Sequence, residues 1–174
     1  MKNVLKITFF ITILSGLTGC QDNKTSDVNQ SETEEVTQVN NQELTDDVQI
    51  FKKGEQAPSE NFTGTAWVTN LVAPDSVYTT ATGSVIFEAG ARTNWHSHPP
   101  GQLLLVTEGV GYHQIQGQPK ETIRKGDVVK CPPNVSHWHG ATPDSSMTHI
   151  YIVPNTDEGV VNWGEPVTDE EFSN

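Results

Sequence analysis

The chain has 174 residues, room for one domain and a tail. Its formal net charge of -12, with 10 Lys plus Arg against 22 Asp plus Glu, argues against nucleic acid as a partner, because phosphate backbones need clustered basic groups. Two cysteines argue against a disulfide scaffold, and 14 Gly with 10 Pro favour turns and short strands.

Residues 1–19 begin with a short basic segment carrying Lys2 and Lys6 and continue through an uncharged apolar run, Ile7 to Gly19. Thirteen helical residues reach about 20 Å, short of a hydrocarbon core of roughly 30 Å, so the run predicts a signal-peptide core rather than a membrane span. It ends in Leu17-Thr18-Gly19-Cys20, which resembles a bacterial lipobox; that resemblance implies a lipidated Cys20 as the mature N-terminus. An ordinary secretory signal cut near Gly19 is the alternative. The lipobox resemblance implies a lipid-anchored protein of the bacterial cell envelope, facing outside the cytoplasm. Residues 20–47 are rich in Asn, Gln, Ser, Thr and acids and show no apolar periodicity, which predicts a flexible acidic tether. A short helix from Glu32 to Gln42 is the alternative there. Loss of Lys2 and Lys6 with the signal takes the formal charge from -12 to -14, so the tether is repelled from anionic lipid and the membrane is met only through the anchor.

A single domain is expected over residues 48–174. Short apolar runs at Thr65–Leu71, Thr79–Phe87, Leu103–Thr107, Gly111–Gln116, Asp127–Cys131 and Met147–Val153 read as strands, each bounded by a turn signal such as Ala-Pro-Asp or Arg-Lys-Gly-Asp. Many short strands at near-regular spacing predict an all-β sandwich or barrel. Only Val167–Phe172 reads as helix, with Thr168 as its cap and three acids in the first turn.

Five of the six histidines fall between Gly90 and Gly140, and the sixth is His149. On a strand His96 and His98 share a face. Gln102 follows four residues later, and the intervening Pro-Pro-Gly turn re-aims it toward that face; His137 comes from a second segment, after a Gly-Asp turn and a Pro-Pro pair. Two imidazoles, an amide oxygen and a third imidazole form a ligand set for one divalent metal, and such mixed ligation does not select sharply among Mn, Fe, Ni and Zn. All four ligands are neutral, so the ion's charge stays uncompensated and favours an anionic oxygen or leaving group. Alternation on Met147–Val153 puts Met147, His149 and Tyr151 on one face, where His149 is either a general base or a core histidine. His139 shares phase with His137 and either supports the site or packs beside Trp138. His113 is expected at the surface, Trp67, Trp95 and Trp163 in the core, and Cys131 as a buried thiol.

Gly90-x5-His96-x-His98-x3-Gln102-x6-Gly109, followed by Gly126-x5-Pro132-x4-His137, resembles the two motifs of the cupin superfamily. Most cupins carry Glu at the place of Gln102. The small bacterial cupin-type hydroxynitrile lyases carry Gln, and they resemble this chain over about residues 55–172, including Glu88-x-Gly-Ala-Arg-Thr-x-Trp-His-x-His-Pro-x-Gly-Gln102, His137-Trp-His-Gly-Ala141 and Met147-Thr-His149. The resemblance implies a double-stranded β-helix (jelly-roll) barrel with a short C-terminal helix, one metal with manganese first, and His149 as the base. It also implies a homodimer or homotetramer, and substrate contacts from Thr93, Gly83 and Val85, to which Tyr151 is added by its phase with His149. Thr93 is odd in phase with His96, so only a bulge brings it inward. Val153 stands where some relatives have Gln. The activity implied is metal-dependent cleavage or formation of cyanohydrins such as mandelonitrile. An iron-dependent dioxygenase and a non-enzymatic module binding a small ligand or metal are the alternatives.

Overall fold

The computed structural model describes residues 49–174. The expected signal peptide, Cys20 and the whole of the tether lie outside the described residues. The chain divides into two units between Leu44 and Thr45, and every described residue belongs to the second.

Twelve strands form two antiparallel sheets among the described residues. The first sheet has the order β1 (Glu55–Gln56), β3 (Ala66–Val72), β4 (Ala81–Phe87), β11 (Met147–Val153), β7 (Gln102–Ile115) and β9 (Val128–Cys131). In the second, β8 (Glu121–Arg124) and β10 (His137–Ala141) flank the far half of β7. There β10 also pairs with β5 (Arg92–Thr93) and β6 (His96–Ser97), which in turn pair with β2 (Phe62–Thr63) and β12 (Asn162–Trp163). The strands expected from the apolar runs are present. Two of them, Leu103–Thr107 and Gly111–Gln116, are halves of the single fourteen-residue β7.

That merger decides where one histidine points. Near its middle β7 leaves the first sheet for the second, and the β11 register shifts there between Thr148 and His149. Gly109 sits at the crossing with φ of 70°, and a Cβ there would run into the Ser146 carbonyl. Before the crossing the even residues Gln102, Leu104 and Val106 are buried; after it the odd residues Gly111 and His113 are. A one-residue irregularity moves every later side chain to the other face. His113, expected at the surface, is therefore buried, with its Nε2 3.5 Å from the Cys131 sulfur.

The core between the sheets is built from Ala66, Val85, Phe87, Leu104, Val106, Ile123 and Met147. A smaller cluster of Trp138, Val167 and Phe172 lies on the outer side of β10, with Trp95 and Tyr112 against it. It seats helix α1 (Asp169–Ser173), whose N-terminus is closed by a capping box between Thr168 and Glu171, as the sequence predicts. Arg92 fastens this corner: its guanidinium donates to the Val167 carbonyl at 3.1 Å and to Asp169 at 2.6 Å, and lies 4.5 Å from the Phe172 ring centre. The tryptophans divide differently from expectation. Trp95 packs on Trp138, Trp67 is half-buried with its N–H on Glu88, and Trp163 is 40% exposed. The one fully buried indole among the described residues is Trp138, whose β10 neighbours His137 and His139 face the barrel interior.

Candidate metal centre and its cavity

The two histidine motifs meet through strand pairing. His96 opens β6 and lies directly opposite His137, which opens β10. Their rings are 4.4 Å apart, and His98 lies 5.2 Å from His96 and 5.6 Å from His137. Between His98 and β7 the chain makes a tight turn, with the Gly101 N–H donating to the His98 carbonyl at 3.0 Å and Gly101 at φ of 84°. This turn delivers Gln102 to the same point, its Oε1 3.3 Å from His137 Nε2.

Backbone carbonyls set the state of these rings. His96 Nδ1 donates to Asn94, His98 Nδ1 to Val160 and His137 Nδ1 to Val135, at 2.9, 2.5 and 2.9 Å. With the proton on Nδ1, each Nε2 carries a lone pair, the arrangement that orients metal-binding imidazoles. Burial, reinforced by the neighbouring imidazoles, holds the His96 pKa well below its usual range; burial lowers that of His98 and takes that of His137 down to about 4. All three are neutral at pH 7. Among the described residues His98 Nε2 has no hydrogen-bond partner, and the Gln102 side-chain oxygen lies against His137 Nε2. Imidazole lone pairs converging beside an amide oxygen suit a cation. The donor set therefore fits a divalent metal. His139 also comes close: a ring nitrogen from each of His96, His137 and His139 lies within 4.8 Å of the others.

Beside these rings opens a cavity of about 320 Å³, lined at its base by His96, His98, Gln102, His139 and His149. Its walls are largely apolar, with Phe62, Val68, Val85, Phe87, Val153 and Trp163. His149 is fully buried, its ring 4.8 Å from His139 and 5.6 Å from Phe87, and among the described residues neither ring nitrogen has a hydrogen-bond partner. Burial lowers its pKa to about 4, so it is an unprotonated base at neutral pH. Burial, then the neighbouring His149, also depresses His139.

Thr93 reaches the cavity without a bulge. The chain leaves the strand between β5 and β6, where Asn94 N–H donates to Asn61 and Trp95 N–H to Glu165, and this break resets the phase. Thr93 Oγ1 accepts from the His139 N–H at 3.2 Å, so its own proton remains free to donate. Val85, Val153 and Tyr151 line the cavity as well; Gly83 lies beneath the Tyr151 ring. The sequence allows His139 either place, and β10 sets it beside His96 and His149. Asn70, Phe62 and Trp163 also line the cavity, and nothing local in the sequence marks which strand faces border it.

A family model for the cupin domain matches residues 83–153, the span that holds both histidine motifs. An (R)-mandelonitrile lyase of Granulicella tundricola is 46% identical over 130 residues, covering 72% of this chain and 98% of that one. A cupin-like protein of Thermotoga maritima, solved by crystallography, is 48% identical with a TM-score of 0.70, covering 71% of this chain and 94% of its own. At 19% identity, a DMSP lyase of Ruegeria pomeroyi shares the fold with a TM-score of 0.51, over 63% of this chain and 54% of that one. With an antiparallel two-sheet barrel, both histidine motifs at one point inside it and a relative matched over nearly its full length, the chain belongs to the cupin superfamily.

Proposed function

We propose that this cupin is a metal-dependent lyase of the cyanohydrin type, cleaving or forming mandelonitrile-like compounds. The observation that carries the reading is His149, an unpartnered neutral base in an apolar cavity beside three converging imidazole lone pairs. The similar (R)-mandelonitrile lyase supports it. His96, His98, Gln102 and His137 would hold the ion, manganese first, with iron, nickel and zinc accepted by the same donors. When bound, it would supply Lewis acidity, lowering the pKa of a substrate hydroxyl.

The chain's own residues do the rest. His149 accepts the proton of the cyanohydrin hydroxyl; the oxygen becomes a carbonyl as the bond to the nitrile carbon breaks, and cyanide leaves with the electron pair. The proton on His149 then passes to cyanide, giving the aldehyde and hydrogen cyanide. Thr93, with its hydroxyl proton free, orients the substrate oxygen. Phe87, Val85 and Val153 exclude water and hold the aromatic body. A lipid on Cys20 would tether this chemistry to the outer side of a membrane.

The test is mandelonitrile cleavage by wild type and His149→Ala, with metal content measured on both. General-base loss lowers the rate by about 10²- to 10⁴-fold while the metal stays. Equal rates in the two proteins would remove His149 from the reaction, and a metal-loaded wild type with no cleavage would refute the lyase reading.

A further inference from the structure

The cavity holds a second polar element that the reaction above does not use. Tyr151 follows His149 by two residues on β11, opposite Gly83 of β4, which is in turn opposite Asn70 of β3. The Tyr151 ring lies across Gly83. A Cβ on Gly83 would sit 2.5 Å from the ring Cε1 and 2.6 Å from the hydroxyl oxygen, so glycine is what lets the ring lie down. Crossing β4 in this way, the hydroxyl reaches Asn70 and donates to its Oδ1 at 3.4 Å. Bonds between two oxygens have a usual range of about 2.5–3.0 Å, so this pair is loosely joined. The phenol oxygen keeps its lone pairs and the amide keeps two N–H donors. Burial raises the Tyr151 pKa, which keeps the phenol protonated and able to donate.

Both side chains line the same cavity as His149, with Val68, Val85 and Val153 around them. Two residues of strand separate His149 from Tyr151 by about 6.7 Å, and two strand spacings of about 4.8 Å separate β11 from β3. A single aromatic ring with a polar atom at either end, hydrogen-bonded at both, spans such a gap.

We propose that Tyr151 and Asn70 form a subsite for a hydrogen-bonding substituent, a hydroxyl foremost, on the ring of an aromatic substrate, opposite its reacting carbon. The inference rests on the cavity taking an aromatic substrate, as in the lyase reading, and it names the substrate class more narrowly: hydroxyaryl rather than plain aryl compounds. An unsubstituted ring would leave the polar pair facing carbon.

Binding of two inert probes, benzyl alcohol and 4-hydroxybenzyl alcohol, tests this on the full chain, with Trp163 in the cavity wall as the fluorescent reporter. The hydroxylated probe binds roughly 3- to 10-fold more tightly to wild type, the range for one added hydrogen bond. In Tyr151→Phe the two affinities converge. Gly83→Ala lifts the ring into the cavity and weakens both probes. Equal affinities in wild type, a preference that survives Tyr151→Phe, or no binding of either probe would overturn the subsite. Mandelonitrile cleavage, measured alongside, separates the two readings: cleavage without the preference refutes the subsite alone, and the preference without cleavage refutes the lyase alone.

Discussion

The histidine cluster should make the metal-free protein acid-sensitive in a defined window. Burial takes the pKa of both His137 and His149 from 6.5 down to about 4. A histidine whose folded pKa lies below its unfolded value binds protons more readily in the unfolded chain. Stability is therefore full above about pH 6.5 and falls as the pH drops toward 4. At about 1.4 kcal/mol per unit, each ring loses about 3 kcal/mol across that window, and the two together lose about 6–7. Domains of this size are stable by only about 5–15 kcal/mol, so the loss reaches the scale of the whole. His96, His98, His113 and His139 are shifted in the same direction and add to it. The shifted carboxylates act lower down: backbone N–H groups of Tyr78 and Val77 hold Asp75 below its usual value, and that of Thr168 does the same for Glu171. Their contributions are present above the ordinary carboxylate range and disappear only as pH falls through the lowered values. Urea unfolding of chelator-treated protein from pH 7 to 4.5 measures the slope, and His149→Gln should reduce the loss over that range by about 2 kcal/mol. A flat profile in wild type, or an undiminished slope in His149→Gln, would show that the buried imidazoles do not set the acid sensitivity.

Two further outcomes concern the cysteines. Cys20→Ser should abolish incorporation of labelled palmitate; undiminished labelling would refute lipidation at that residue. In that variant Cys131 is the one remaining thiol. It is 3% exposed, and burial pushes its pKa up to about 12, so a disulfide reagent at pH 8 should label it only after denaturation. Rapid labelling of the folded protein would contradict the buried-thiol assignment.

The parts legible in the sequence are those written in local spacing. His96 and His98 share a phase, with His98 one residue past the end of β6, Gln102 follows a Pro-Pro-Gly turn, and Thr168 with Glu171 spells a helix cap. Strand positions were legible for the same reason, because apolar runs and turn residues are local. What escaped depends on irregularities or on distant partners. His113 turns inward because β7 slips by one residue between Val106 and Glu108, and no alternation pattern carries across such a slip. Thr93 turns inward because the strand breaks at Asn94, whose N–H is taken by Asn61, more than thirty residues earlier. Trp163 has the composition of a core residue, yet it ends on the two-residue β12 against His96, bordering the cavity. The Tyr151–Gly83–Asn70 arrangement needs the register of three strands, and only the fold supplies that.

In the proposed site His96, His98, His137 and Gln102 hold a single metal while His139 stands beside it. Metal content of the purified protein, compared between His98→Ala and His139→Ala, tests this most directly. One ion per chain is expected in wild type and in His139→Ala, and loss of the ion in His98→Ala. Retention in His98→Ala with loss in His139→Ala would contradict it and move the ion to His96, His137 and His139, whose ring nitrogens also lie within 4.8 Å of one another.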